Sequence, residues 1–81
     1  MRVTVRLFAR LKDIAGAPEL ERDVPADATL ADVWALLAHD FPAMAPYRGS
    51  VSGARNAEYA RMDAAIADGD EIAFLPPVSG G

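Results

Sequence analysis

Hydrophobic and polar residues alternate over residues 2–9 of the chain, with one exception at Phe8. Val3, Val5, Leu7 and Ala9 share one side of this segment, and the other side carries one large aromatic residue, Phe8. Alternation with a period of two is typical of a strand with one buried face. The pattern therefore predicts an N-terminal strand with the first set in the core. Phe8 is then either a partly covered surface residue or a docking anchor.

A second, weaker strand follows after a short helix or turn. Residues 10–15 can form that turn, which Gly16 ends, and Pro18 forbids its continuation. Residues 19–24 alternate again but are rich in charge, which suits the edge of a sheet. We expect this segment to pair with the first strand as a hairpin.

The longest helical pattern runs from residue 30 to residue 41. Its apolar residues recur at helical spacing and form one stripe: Leu30, Val33, Trp34, Leu37 and Phe41. Thr29 and Asp32 have the spacing of a capping box, and Pro42 stops the helix. Because Trp34 lies on the apolar stripe, we interpret it as a core anchor rather than a binding residue.

A hairpin and a final strand complete the pattern. Residues 51–55 lead to a turn near Asn56, and residues 59–62 return. A turn at residues 68–70 precedes an apolar strand over residues 71–75. The order strand, strand, helix, hairpin, strand predicts an α+β roll with a mixed sheet packed on one main helix. Six residues are predicted to form its core: Val5, Leu7, Val33, Leu37, Ile72 and Phe74.

Composition narrows the classes of function. The chain has 81 residues, which suits one domain with a small core. Its net charge of −4 argues against nucleic acid or an anionic membrane as the partner. The same charge is compatible with a basic protein as the partner. No signal peptide or long apolar run is present, so a cytoplasmic location is expected. Cysteine is absent and His39 is the single histidine, so we expect no metal site, and no cofactor bound by this chain.

The last residues form a distinct segment. Pro76 and Pro77 end the final strand because neither can donate a ladder hydrogen bond, and two glycines follow at Gly80 and Gly81. We predict a domain over residues 1–76 and a flexible tail over residues 77–81. Such a tail fits a narrow slot in another protein, and its terminal carboxylate is ionised at neutral pH. The alternative interpretation is a frayed chain end.

This ending resembles the small subunit of molybdopterin synthase, the MoaD-type sulfur carriers. The resemblance rests on residues 68–71 (Asp-Gly-Asp-Glu) and residues 76–81 (Pro-Pro-Val-Ser-Gly-Gly), with further anchors at residues 7–10, residues 15–16 and Asn56. It spans the whole chain and implies a ubiquitin-like β-grasp fold, with the last strand parallel to the first in the centre of the sheet. Before Asn56 the chain departs from the family, because Ser52, Gly53 and Arg55 stand where more apolar residues are usual.

The resemblance also implies a function that is not catalytic in this chain alone. The resemblance implies that an E1-like adenylyltransferase uses ATP to form an acyl adenylate on Gly81, and that a sulfur donor converts this adenylate to a thiocarboxylate. The large subunit of molybdopterin synthase, in a heterotetramer of two small and two large subunits, then transfers the sulfur to cyclic pyranopterin monophosphate. Gly80 provides clearance for the tail.

Partner binding is predicted at the sheet face that the helix leaves uncovered. Phe8, Ala73 and Leu75 have the strand parity to lie on that face, and Tyr59 can join them. The tail residues that follow complete the predicted contact set: Pro76, Pro77, Val78 and Ser79. Three other functions remain open: a sulfur carrier for thiazole, cysteine or tRNA thiolation, a ubiquitin-like protein modifier, and an interaction domain with an inert tail.

Overall fold

A computed structural model describes residues 1–77, and within them five strands and two α-helices form. The elements, in chain order, are β1 (Arg2–Leu7), α1 (Ala9–Ala15), β2 (Glu19–Asp23), α2 (Leu30–Asp40), β3 (Ser52–Arg55), β4 (Glu58–Ala60) and β5 (Glu71–Leu75). A 3₁₀ helix, Pro42–Tyr47, follows α2.

The strands form one mixed sheet in the order β2-β1-β5-β3-β4. β1 and β5 are parallel, with Val5 opposite Ile72 and Leu7 opposite Phe74, and the other neighbouring strands are antiparallel. A central parallel pair of first and last strands beside one main helix is the β-grasp arrangement. The predicted fold, the edge position of β2 and the central place of β5 are confirmed.

The core lies between the sheet and α2. All six predicted core residues are buried, each with no more than 2% of its surface exposed. Trp34 is also 2% exposed and meets the ring of Phe74 edge-to-face, with the ring centroids 5.1 Å apart. The interpretation of Trp34 as a core anchor is confirmed, and this aromatic pair ties the helix to the central strand.

The predicted first strand ran two residues too far. β1 ends at Leu7, and Phe8 precedes α1 with an extended backbone (φ −127°, ψ 153°). Ala9 begins the helix with a φ of 50° and is exposed, so its predicted place in the core is wrong. Alanine fits a strand face and a helix start equally well in a pattern of hydrophobicity, and the pattern therefore could not detect where the chain leaves the sheet.

The predicted capping box of α2 is present. The backbone N–H of Asp32 donates to Thr29 Oγ1 at 3.3 Å, and the backbone N–H of Thr29 donates to Asp32 Oδ2 at 2.9 Å. These two bonds satisfy donors that the first helical turn otherwise leaves unpaired. They fix the start of the helix at Leu30, the first residue of its buried stripe.

The β3–β4 hairpin forms as predicted, and one of its unusual residues, Gly53, has a packing reason. Its turn residues Asn56 and Ala57 have φ values of 50° and 72°, as a two-residue primed turn requires. A Cβ at Gly53 would lie 3.2 Å from Met62 Sδ and 3.3 Å from Leu30 Cδ1. Glycine at this position therefore lets the hairpin approach the start of α2 closely.

None of the helices formed by residues 1–77 is both long enough and apolar enough to cross a membrane.

Candidate functional site

The sheet face turned away from α2 carries a row of residues from four strands. Arg6 of β1 lies opposite Ala73 of β5, Ala73 lies opposite Ala54 of β3, and Ala54 lies opposite Tyr59 of β4. Directly opposed residues in a sheet project to the same side. The row therefore crosses most of the sheet on the side that does not contact the main helix.

Phe8 and Leu75 extend this row towards one end of the sheet. The two residues are neighbours by continuation of the parallel β1–β5 register, in which Leu7 is opposite Phe74. Together with the row they line a shallow depression of about 360 Å³. We call this surface the open face and define it by six residues: Arg6, Phe8, Ala54, Tyr59, Ala73 and Leu75.

Two of the three large hydrophobic residues that are exposed within residues 1–77 lie on the open face. Tyr59 is 78% exposed and Phe8 40% exposed, and Leu75 is half-buried. Clustered apolar side chains on a small domain mark sites where other proteins bind. The structure thus brings together the three residues that the sequence proposed for docking, and their role in binding stays a prediction.

The tail begins beside this face. β5 ends at Leu75, after which Pro76 is half-buried and Pro77 is exposed. The remaining predicted site residues lie outside the described residues: Val78, Ser79, Gly80 and Gly81. The proposed roles of all six residues, and the domain boundary after residue 76, therefore stay predictions.

Sequence reasoning missed four residues that line the depression: Arg6, Ala54, Ala57 and Glu71. Arg6 had a usable signal, since it alternates onto the same side of the first strand as Phe8. The two alanines had none, because their place depends on how the β3–β4 hairpin pairs with β5, and that register is set in three dimensions.

At its other end the same sheet face is charged. Arg2 pairs with Glu21 at 3.3 Å and with Asp23 at 3.1 Å. The hydrogen bond that Arg2 donates to Glu21, followed by the charge of Asp23, raises the pKa of Arg2 above its usual value. The face is therefore divided into an apolar half next to the tail and a paired, charged half away from it.

A hydrogen-bonded clamp fixes the start of β5. Asn56 Nδ2 donates to Asp70 Oδ1 at 3.0 Å, and the backbone N–H of Glu71 donates to Asn56 Oδ1 at 2.9 Å. The backbone N–H of Ala67 donates to Asp70 Oδ2 at 2.7 Å. These bonds join the hairpin turn to the strand that carries the tail.

The clamp predicts an acid-dependent loss of stability. The Ala67 N–H, then the Asn56 amide and the charge of Arg55, lower the pKa of Asp70 below its usual value. Because the pKa of Asp70 is lower in the folded state than in the unfolded state, its carboxylate stabilises the fold above about pH 4. This contribution is lost as the pH falls through the folded-state pKa. Asp70→Asn should remove it.

The measurement is the urea midpoint of parent and Asp70→Asn between pH 7 and pH 2. The difference between the urea midpoints of the two proteins should disappear as the pH falls below about 4. Asp13→Asn is a matched control, since Asp13 is exposed on α1. A gap that stays constant with pH would show that Asp70 is not stabilised as a carboxylate.

Comparison with known proteins adds a family and named relatives. The sequence model of the ThiS family matches residues 5–81. The molybdopterin synthase sulfur carrier subunit of Arabidopsis thaliana is 35% identical over 79 residues, which cover 98% of this chain and 82% of that protein.

Two further proteins are similar in sequence and structure. Small archaeal modifier protein 1 of Haloferax volcanii is 37% identical over 84 residues, covering 94% of this chain and 97% of that protein. A crystal structure of SAMP1 from the same organism covers 100% of both chains with a TM-score of 0.88 at 35% identity. A chain in the complex of subunits 1 and 2 of molybdopterin-converting factor from Helicobacter pylori 26695 covers 100% of both chains with a TM-score of 0.70 at 27% identity.

Proposed function

Because this chain belongs to the ThiS family, we propose that it is the sulfur carrier subunit of a molybdopterin synthase. The relative from Arabidopsis thaliana is named as such a subunit, and the Helicobacter pylori neighbour is solved as a complex of two subunits. Both support a carrier that acts with a partner and does not catalyse the reaction alone.

One observation of the molecule carries the proposal: the apolar open face lies beside the end of the strand that leads to Gly80 and Gly81. Phe8 and Leu75 are neighbours across β1 and β5, and β5 continues directly into Pro76 and Pro77. A partner that docks on the open face is thereby placed where the tail begins. Docking on the open face would therefore also bring the tail to the partner.

The chemistry proposed for Gly81 conserves atoms at each step. Its carboxylate attacks the α-phosphate of ATP on an E1-like adenylyltransferase, which forms the acyl adenylate and releases pyrophosphate. A sulfur donor that supplies sulfide-level sulfur then displaces AMP, so that a carbon–sulfur bond replaces the carbon–oxygen bond to phosphate. The resulting thiocarboxylate keeps its sulfur bound to carbon until it is transferred.

The partner supplies what this chain lacks. The large subunit of molybdopterin synthase, assembled as two small and two large subunits, would position cyclic pyranopterin monophosphate and provide the acid and base groups. Each dithiolene requires two sulfur atoms, so two loaded carriers are consumed for each product. We place this activity in the cytoplasm, with ATP used by the activating enzyme and with no metal or cofactor held by this chain.

Reconstitution tests this proposal. Chain carrying the thiocarboxylate, the cognate large subunit and cyclic pyranopterin monophosphate should yield molybdopterin, with about two carriers consumed for each product. Chain that has not been loaded should yield none. Failure of the loaded chain to form molybdopterin, with active large subunit present, would contradict this proposal and leave sulfur carriage for thiazole, cysteine or tRNA thiolation, or protein modification, as the alternatives.

A second candidate function is protein modification. It is favoured by the similarity to small archaeal modifier protein 1, which extends over nearly the whole length of both proteins. In this alternative a lysine amine attacks the Gly81 acyl adenylate, AMP leaves and an amide bond forms. Mass spectrometry of cell proteins would then find lysines linked to the C-terminus of this chain, and their absence would exclude this candidate.

Docking on the open face predicts a strong effect of a charge at Leu75. Leu75→Glu should weaken binding to the large subunit by about tenfold or more, because burying a leucine contributes about 1.5–3 kcal/mol. Leu36→Glu is the matched control, since Leu36 is 37% exposed on α2, on the other side of the molecule.

Isothermal titration calorimetry with the large subunit measures both variants, and thermal unfolding confirms that each is folded. Equal dissociation constants for folded Leu75→Glu and for the parent would reject the open face as the docking surface.

A further inference from the structure

Two charged side chains, Arg6 and Glu71, lie in the apolar half of this sheet face. The depression that Arg6 lines is otherwise formed by uncharged residues and by Glu71. Arg6 lies directly opposite Ala73 and two residues before Phe8, on the same side of the sheet. A partner that covers Phe8, Ala73 and Leu75 therefore also covers Arg6.

The Arg6 guanidinium is held only weakly by the molecule itself. Among residues 1–77 its one ion pair joins Nη1 to Glu71 Oε1 at 3.8 Å, well beyond the 2.7–2.9 Å of a charge-assisted hydrogen bond. Both side chains are about half exposed, at 48% and 47%. Within the part of the chain that the structure describes, the guanidinium donates no hydrogen bond to a protein atom.

Other arginines of the sheet differ from Arg6 in this respect. Arg2 donates to Glu21 and Asp23, Arg22 donates to Asp40 and to a backbone carbonyl, and Arg55 donates to the Ala65 carbonyl at 2.6 Å. Arginine presents five N–H donors in a planar fork that matches a carboxylate. The fork of Arg6 is thus available to an acceptor from outside the chain.

Covering this side chain with an apolar surface would be unfavourable. A guanidinium loses its hydration on burial, and Glu71 at 3.8 Å cannot satisfy its donors. A carboxylate on the partner would satisfy two donors at once and offset that loss. Complementary charges at an interface also select among partners, because a partner without the carboxylate leaves the charge unpaired.

We infer that Arg6 is a specificity residue of the open face, and that the partner docking there presents an Asp or Glu side chain to its guanidinium within an otherwise apolar contact. The inference rests on the proposed function for the identity of the partner. It adds one feature of the partner's surface, an acidic group that faces Arg6. The rest of that surface is expected to be basic, because this chain is acidic.

The test measures dissociation constants of the cognate large subunit for parent, Arg6→Leu, Arg6→Glu and Arg2→Leu at low and moderate salt. Arg6→Leu should weaken binding about tenfold and Arg6→Glu about 100-fold, as expected when a close charge pair is lost or reversed. The dissociation constants of both variants should depend less on salt than that of the parent. Arg2→Leu is the matched control on the same strand and face, and should bind within about twofold of the parent because its partners are its own neighbours.

A charge reversal identifies the group on the partner. One Asp or Glu of the large subunit, replaced by Arg, should restore the binding of Arg6→Glu and weaken that of the parent. If the parent binds and Arg6→Leu binds as tightly or more tightly, the inference is wrong while the proposed function stands. If the parent does not bind at all, the proposed function and this inference both fail. Thermal unfolding verifies that every variant is folded.

Discussion

Phe74→Ala is expected to destabilise the domain by about 3–5 kcal/mol, the usual cost of removing a buried phenylalanine. Phe74 is completely buried in the central strand, packs edge-to-face on Trp34 and lies opposite Leu7. A domain of 81 residues has a total stability of roughly 4–12 kcal/mol. The substitution therefore removes a large part of that stability and should lower Tm by about 12 °C or more.

Phe8→Ala provides the matched control, because it makes the same chemical change at a residue that is 40% exposed. It should cost about 1 kcal/mol or less. Thermal and urea unfolding of both variants separate the two positions. If Phe74→Ala melted near the parent while Phe8→Ala melted far below it, the assignment of the two sheet faces would be reversed.

Removing Gly81, or adding one residue after it, is expected to abolish sulfur transfer and to leave stability unchanged. The described core extends from Val3 to Phe74, so the change does not reach the residues that hold the fold together. One residue displaces the terminal carboxylate by roughly 3.3 Å, and reacting atoms must be placed far more closely than that. Molybdopterin formation measures the loss, and Tm provides the control.

Gly80→Ala tests the clearance proposed for the tail. Any Cβ widens the chain at that position and restricts its backbone. We expect this variant to keep its C-terminal carboxylate, and hence to be activated more readily than the Gly81 deletion, but to transfer sulfur more slowly than the parent. Transfer at the parental rate would show that the partner's slot accommodates a side chain there.

Most of the fold could be predicted from hydrophobic periodicity. Val5 and Phe74 are predicted correctly because buried and exposed positions alternate along a strand with one buried face. Trp34 is predicted correctly because the buried positions of a helix recur every three to four residues. The same reasoning failed at Ala9, where the chain turns out of the sheet with a positive φ. An alanine carries too little hydrophobic signal to mark such a turn.

The candidate site was predictable only in part. Phe8 and Leu75 could be assigned to one face by parity within their own strands. The contribution of Ala54 depends on the pairing of β3 with β5, and the weak ion pair of Arg6 depends on its distance from Glu71. Those are properties of the assembled sheet. Short-range pattern cannot provide them, because the partners are distant in sequence.

The central claim is that this chain carries sulfur on the carboxylate of Gly81. It is tested most directly by the intact mass of the chain after incubation with ATP, the activating enzyme and a sulfur source. The parent should gain the difference in mass between one sulfur and one oxygen atom, and the variant lacking Gly81 should gain nothing. A parent of unchanged mass, with the activating enzyme shown to be active, or an equal gain by the variant lacking Gly81, would contradict the account.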